Sequence, residues 1–201
     1  MQREMKRRLW NFWKSDSESD WDRGLIMKKL IVFFPGAGYG MECPLLYYAD
    51  FIYETNGFDR IHMNYQNIFS NRDLSLEDKL QNVREYILEQ VKNINFDLYD
   101  EVVFLSKSVG SVEAGILAER LNLAVTQAFI TPIEEAITYC DKNSIVVIGT
   151  QDKAYELYKN YCDENMIKAM YVSGANHSLE VEGQPYESID VIKSVMQFIE
   201  R

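Results

Sequence analysis

A serine flanked by small residues lies in the sequence Ser-Lys-Ser-Val-Gly at residues 106–110. The apolar run at 101–105 predicts a strand before it, and residues 111–121 predict a helix after it. A sharp turn between a strand and a helix strains its central residue, so the positions two away on each side must be small. The pattern predicts a nucleophile elbow that exposes the Ser108 hydroxyl at a helix amino terminus, where the helix dipole favours negative charge. The alternative is an ordinary serine-rich turn.

A serine nucleophile needs a base that accepts its proton, and the chain contains two histidines. His177 follows the apolar run at 168–172, whereas His62 lies within a predicted strand at 60–64. Functional groups of parallel sheets gather at the carboxyl ends of the strands. We therefore expect His177 to be the base and the His62 side chain to pack on the sheet.

A carboxylate should orient that histidine, and two acidic residues follow strands at suitable points of the chain. Asp152 comes directly after the apolar run at 145–148, and it is the predicted acid. Glu134 follows the preceding predicted strand and is the second candidate.

A glycine-rich loop at 35–40 follows the first predicted strand. Acyl transfer develops an oxyanion, which preorganised backbone N–H groups stabilise. We expect one donor to be the N–H of Val109, the residue after the nucleophile. The second donor is predicted at Ala37, because neighbouring glycines let the backbone approach a ligand closely.

The same loop does not fit a dinucleotide site. Gly36, Gly38 and Gly40 give G-x-G-x-G, and the third glycine of the dinucleotide fingerprint would fall at Met41. The second predicted strand ends without the acidic residue that binds a ribose. The chain also lacks the phosphate-loop motif G-x-x-x-x-G-K-[ST].

Apolar runs alternate with helical patterns along the chain. The predicted strands cover 30–34, 60–64, 102–105, 125–130, 145–148 and 168–172, and the predicted helices cover 44–55, 75–94, 111–121, 133–139, 154–162 and 188–199. Continuously apolar strands between helices indicate a parallel sheet covered on both faces. With right-handed crossovers, this predicts a doubly wound, mainly parallel six-stranded α/β sheet.

These motifs together resemble those of the serine α/β-hydrolase superfamily, and in particular those of small bacterial members. The matching segments run from about residue 28 onward: the glycine-rich loop, the elbow, the acid turn at 149–152 and the histidine loop at 175–178. The resemblance implies a triad of Ser108, Asp152 and His177 and the strand order 2-1-3-4-5-6. The chain departs from the family where Pro35 replaces the usual histidine and Ser106 replaces the first glycine of the elbow.

The connection between the fourth and fifth predicted strands is only about a dozen residues long, which leaves little room for a cap domain. We therefore expect an open, shallow site. Its walls and substrate contacts are predicted at Gly36, Gly38, Tyr39, Met41, Tyr47, Tyr65, Thr131 and Tyr155. Tyrosines offer apolar faces with polar tips, which suit small or amphipathic esters, although simple packing would explain them equally well.

Composition limits the classes of partner. The 201 residues predict one domain at 27–201 after an extension at 1–26, which contains all three tryptophans. A net charge of −10 and a pI near 4.8 argue against nucleic acid and anionic membranes as main partners. The three widely spaced cysteines, the absence of a membrane-spanning run and the lack of a signal peptide predict a cytoplasmic protein without disulfides or a metal site.

The sequence thus predicts a cofactor-independent serine hydrolase whose substrate is a small carboxylic ester or thioester. Peptidase, lactonase and acyltransferase reactions use the same machinery, so they stay open. The alternative from another class is a catalytically silent hydrolase-fold protein that binds a partner through its tryptophan-rich extension. The sequence leaves the oligomeric state open.

Overall fold

The computed structural model describes residues 27–200, and it contains one six-stranded sheet in that range. The strands are β1 (Lys29–Phe34), β2 (Phe58–His62), β3 (Glu101–Ser108), β4 (Thr126–Pro132), β5 (Ile145–Gly149) and β6 (Lys168–Val172). Every pairing is parallel, in the order β2-β1-β3-β4-β5-β6. The predicted fold class and strand order are therefore confirmed.

Helices cover both faces of the sheet. They are α1 (Pro44–Thr55), α2 (Gln66–Ser70), α3 (Leu76–Val91), α4 (Gly110–Arg120), α5 (Tyr155–Asn165) and α6 (Pro185–Ile199), with 3-10 helices at Phe96–Leu98 and Glu134–Tyr139. The sequence did not predict α2 or the first 3-10 helix, because segments of three to five residues are too short to show a helical period. The second 3-10 helix fills the short connection from β4 to β5, so no lid is inserted there.

Side chains alternate between the two faces along each strand. Ile31 and Phe33 of β1 pack in the cluster that contains residues of α1 and α6. Leu30, Val32 and Phe34 pack in the cluster that contains residues of α3 and α4. All five side chains are buried, and this double burial explains why the strand is continuously apolar.

The start of β2 differs from the prediction, whereas α3 begins after the expected residue and ends three residues early, at Val91. Strand β2 begins two residues earlier than expected, directly after Gly57, whose φ of 76° suits a glycine and ends the preceding loop. His62 is therefore the last residue of β2. Helix α3 begins after Ser75, whose hydroxyl accepts a hydrogen bond from the Asp78 N–H at 3.1 Å. Leu76, in the first turn of this helix, is 67% exposed.

The three cysteines, Cys43, Cys140 and Cys162, are free thiols. In the described part of the chain, no helix has both the length and the apolar character needed to cross a bilayer. The same residues contain no group of three or more His, Cys, Asp or Glu side chains that could hold a metal ion.

Candidate active site

Ser108 lies at the junction of β3 and α4 with a φ of 56°. This left-handed backbone is unfavourable for a residue with a side chain, and such strain is typical of a functional turn. Gly110 allows the turn to lie against the first strand, and Gly36 lies beside the serine. A Cβ on Gly110 would lie 2.2 Å from the Phe34 carbonyl oxygen, and a Cβ on Gly36 would lie 3.4 Å from the Ser108 Cβ. Ser106, in place of the usual glycine, is buried, and its hydroxyl lies 3.4 Å from the Ala128 carbonyl oxygen.

His177 lies in the loop between β6 and α6, and it contacts both of its expected partners. Its Nε2 is 2.9 Å from the Ser108 Oγ, and its Nδ1 is 2.6 Å from an Asp152 carboxylate oxygen. An ionised carboxylate can only accept hydrogen bonds, so Nδ1 carries the proton and Nε2 accepts from the serine hydroxyl. The imidazole is therefore in the tautomer that can take a proton from Ser108.

Asp152 lies in the turn after β5, and its side chain is buried. One carboxylate oxygen faces His177, and the other accepts a hydrogen bond from the Ala154 N–H at 3.0 Å. Burial by itself would raise the pKa of this carboxyl group. The hydrogen bonds from His177 and Ala154, together with the nearby Lys107 ammonium, outweigh that effect and lower the pKa below its usual value. Asp152 is therefore an ionised acceptor at neutral pH.

Backbone contacts join the acid turn to the histidine loop. The Gln151 N–H donates to the Ala175 carbonyl at 2.9 Å, and Gly149 lies so close that an added Cβ would be 2.1 Å from the same oxygen. Within the loop, the Asn176 side-chain oxygen accepts from the N–H groups of Ser178 and Glu180 at 2.8 and 3.1 Å. These contacts fix the distance between Asp152 and His177.

We expect Gly149→Ala to damage the site through this contact. The methyl group would push the Ala175 carbonyl away, so both the melting temperature and the activity should fall, with a loss of stability of about 2 kcal/mol or more. Thermal unfolding and fluorophosphonate labelling would measure the two effects. Gly38→Ala is the matched control for stability, because no atom lies within 4 Å of its added Cβ. Equal melting temperatures of the two variants would contradict the prediction.

The glycine-rich loop approaches the elbow from the carboxyl end of β1. The Gly36 N–H donates to the Tyr39 carbonyl at 3.0 Å, which closes a tight turn and leaves Ala37 and Gly38 exposed at its tip. Within residues 27–200, the N–H groups of Ala37 and Val109 donate no hydrogen bond to another group. Tyr39 and Met41 are half-buried beside this turn.

Two of the expected wall residues lie behind the site. Tyr65 is completely buried, and its hydroxyl donates to the Pro35 carbonyl at 2.7 Å, so it supports the glycine-rich loop from below. Thr131 is also completely buried, at the end of β4. This burial takes both side chains out of the surface that a substrate could touch. Tyr47 is exposed on α1, and Tyr155 is half-buried at the start of α5.

The other candidate residues do not reach the serine. Glu134 is exposed at the start of the second 3-10 helix, whereas Asp152 makes the contact with His177. His62 lies at a strand end after all, but its Nε2 is 2.6 Å from Asp50 and its ring packs edge-on against Phe33. His62 is therefore held on the sheet, as the sequence predicted.

Sequence reasoning missed one residue of this region. Lys107 is 1% exposed, and its ammonium donates to the Thr131 hydroxyl and to the His177 carbonyl. The sequence contained a signal for this burial. Alternate residues of a strand share one face, and Lys107 shares a face with the apolar residues at 103 and 105.

Known proteins share this fold but little of the sequence. No family model matches the chain, and no curated relative matches it. Solved structures do match. A protein of unknown function from Agrobacterium tumefaciens, described as an α/β hydrolase, is 15% identical with a TM-score of 0.62, over 87% of this chain and 85% of that one.

Two further solved structures are similar. Est1E from Butyrivibrio proteoclasticus, solved with ferulic acid bound, is 14% identical with a TM-score of 0.57, over 87% of this chain and 91% of its own. An α/β serine hydrolase without a lid from Xanthomonas campestris is 16% identical with a TM-score of 0.52, over 86% of this chain and 81% of its own. The chain has the α/β-hydrolase fold in the form that lacks a lid.

Proposed function

We propose that this protein is a serine hydrolase that cleaves small carboxylic esters or thioesters through an acyl-enzyme intermediate. The observation that carries the proposal is the unbroken hydrogen-bonded series from Ser108 through His177 to the buried Asp152. A nucleophile, its base and the group that orients the base are in contact, which is the arrangement that activates a hydroxyl group.

In the first half of the reaction, the Ser108 Oγ attacks the acyl carbon while its proton moves to the His177 Nε2. The carbonyl oxygen becomes an oxyanion, which the N–H groups of Val109 and Ala37 stabilise. The proton then moves from His177 to the leaving alcohol or thiol as its bond to the acyl carbon breaks. Asp152 holds the imidazole in place and stabilises the imidazolium.

In the second half, water takes the place of the alcohol. His177 removes a proton from the water, the resulting hydroxide attacks the acyl-serine, and the carboxylic acid leaves as the proton returns to Ser108. None of these steps calls for a metal or an organic cofactor. The solved structure of Est1E holds a carboxylic acid, which is the kind of product this reaction releases.

An open site supports a small substrate. The His177 side chain is 43% exposed, and the turn at Ala37 and Gly38 lies at the surface. We propose that Gly36, Gly38, Tyr39 and Met41 contact the substrate beside the oxyanion donors. A cytoplasmic location belongs to the same proposal, because free thiols persist in a reducing compartment. The division into an extension at 1–26, which lies outside the described residues, and a hydrolase domain from 27 onward is also proposed.

Fluorophosphonate labelling of the full chain tests the proposal. The probe should form one adduct on Ser108, located by intact mass and peptide mapping, and heat-denatured protein should form none. Panels of p-nitrophenyl esters and acyl thioesters would then identify the preferred acyl and leaving groups. A well-folded protein that neither reacts with the probe nor cleaves any ester would contradict the proposal. That result would favour the alternative, a catalytically silent protein of this fold that binds a partner.

A further inference from the structure

Lys107 occupies an unusual position for a charged residue. It continues the row of Val103 and Leu105 on one face of β3, and both of those side chains are in the buried cluster beneath α1 and α6. Its own side chain is 1% exposed. Burying an ammonium group is unfavourable unless the protein provides partners for it, so its partners indicate why it is there.

The partners of Lys107 belong to the loops that carry the candidate site. Its Nζ donates to the Thr131 hydroxyl at the end of β4 and to the His177 carbonyl at 2.7 Å. The same ammonium lies 5.1 Å from the centre of the Tyr39 ring in the glycine-rich loop. One side chain therefore connects β3, the end of β4, the histidine loop and the glycine-rich loop.

Thr131 is held in a strained conformation beside this lysine. Its φ is 42°, which is unfavourable for a β-branched residue. Strain of this kind persists only where surrounding contacts maintain it. The hydrogen bond from Lys107 is such a contact, and it directs the Thr131 hydroxyl toward the ammonium that also binds the histidine loop.

We propose that Lys107 is a positioning residue, whose buried ammonium anchors the His177 backbone so that the imidazole stays within reach of the Ser108 hydroxyl. The proposal rests on the proposed hydrolase function, and it adds a group that does not touch the substrate. An error of about 1 Å in the position of a catalytic group can lower a rate roughly a hundredfold, so one anchoring contact is sufficient to matter.

The energetics of Lys107 do not fit a purely stabilising role. Burial lowers the pKa of its ammonium from 10.5 to about 8, although Asp152 and Cys43 oppose that shift. Compared with the unfolded chain, the folded protein thus favours the uncharged form of this lysine. Replacing a buried charge by an apolar side chain is often neutral or stabilising, so a role in positioning explains why the charge is kept.

The sign of this effect gives a measurable pH dependence. Between pH 8 and 10.5 the unfolded chain holds a proton on this lysine that the folded chain has lost, so the Lys107 contribution to the free energy of unfolding rises with pH. The melting temperature of wild type should therefore increase relative to that of Lys107→Met across this interval. The other groups around the ammonium, namely Asp152, His177, Tyr39 and Cys43, are the same in both proteins. A constant difference would contradict the inferred burial of the charge.

The kinetic test compares wild type with Lys107→Met, which keeps the length of the side chain and removes its charge and donors. With p-nitrophenyl acetate, we expect kcat to fall about 10- to 100-fold while KM stays within about threefold, because the substrate contacts are unchanged. The melting temperature at pH 7 should stay within about 4 °C of wild type. Lys159→Met, which removes an exposed lysine on α5 paired with Asp163, is the matched control and should behave as wild type.

A second variant keeps the test independent of the lysine itself. Thr131→Val keeps the β-branched shape and replaces the hydroxyl that accepts from Lys107 with a methyl group, so it should also lower kcat. The double variant should lose less than the product of the two single losses. If Lys107→Met fails to fold, Thr131→Val decides: an unchanged kcat overturns the proposal, and a lower kcat at an unchanged melting temperature supports it. Equal kcat values of wild type and Lys107→Met overturn the positioning role alone. A wild type without labelling or turnover overturns the hydrolase function as well.

Discussion

Ser108→Ala should abolish covalent labelling and lower kcat for ester hydrolysis by at least about 10⁴-fold. The substitution removes the Oγ that lies 2.9 Å from the His177 Nε2, so no acyl-enzyme can form. The fold should be preserved, because alanine fits the space of serine and meets the same backbone strain at a φ of 56°. Steady-state kinetics, intact mass and thermal unfolding of the variant measure these three expectations.

The matched control is a serine outside the site. The Ser194 hydroxyl donates to the Asp190 carbonyl within α6, so Ser194→Ala should keep both labelling and turnover. Ser108→Ala should still bind the substrate, because the glycine-rich loop is unchanged, and substrate protection against thermal unfolding would detect that binding. Turnover by Ser108→Ala at a rate close to wild type would mean that another group performs the chemistry.

Much of this arrangement could be predicted because it depends on local sequence. The elbow needs small residues at fixed positions around Ser108, and the acid and the base each follow a strand that is apolar enough to recognise. Parallel strands bring their carboxyl ends to one edge of the sheet, so the sequence alone was sufficient to expect Asp152 and His177 near the serine. The close approach at Gly149, in contrast, is seen only in the structure, where an added Cβ would lie 2.1 Å from the Ala175 carbonyl oxygen.

The remaining features depend on contacts between distant parts of the chain. Tyr65 was expected in the substrate pocket, but its hydroxyl bonds the Pro35 carbonyl and the ring lies in the core under α3. A tyrosine in a strand-end loop has the same sequence pattern in either location. The strand alternation places Lys107 on the core side, but its partner, the His177 carbonyl, lies 70 residues away along the chain and could not be predicted from local sequence.

Asp152→Asn should fold normally and lose kcat by about 10³- to 10⁴-fold, with a much smaller change in KM. Asparagine has the shape of aspartate, and its oxygen can still accept the hydrogen bond from the Ala154 N–H. Its amide nitrogen, however, can donate to the His177 Nδ1. The imidazole would then carry its proton on Nε2, where it cannot accept the proton of Ser108.

A kinetic comparison of Asp152→Asn with Glu134→Gln would show which of the two candidate acids orients His177. Glu134 is exposed on the second 3-10 helix, and removal of its charge should leave kcat within about twofold of wild type, as is usual for a surface substitution. The opposite result, in which Glu134→Gln loses turnover and Asp152→Asn keeps it, would move the acid role to the end of β4. In that case the 2.6 Å contact between Asp152 and His177 would serve the stability of the loops rather than the reaction. The lowered pKa of Asp152 stabilises the fold at neutral pH, and this contribution is lost as the pH falls into the acidic range. Thermal unfolding would show such a structural role directly if Asp152→Asn were less stable than wild type at pH 7 and the difference became smaller at pH 3, with Glu134→Gln unchanged at both.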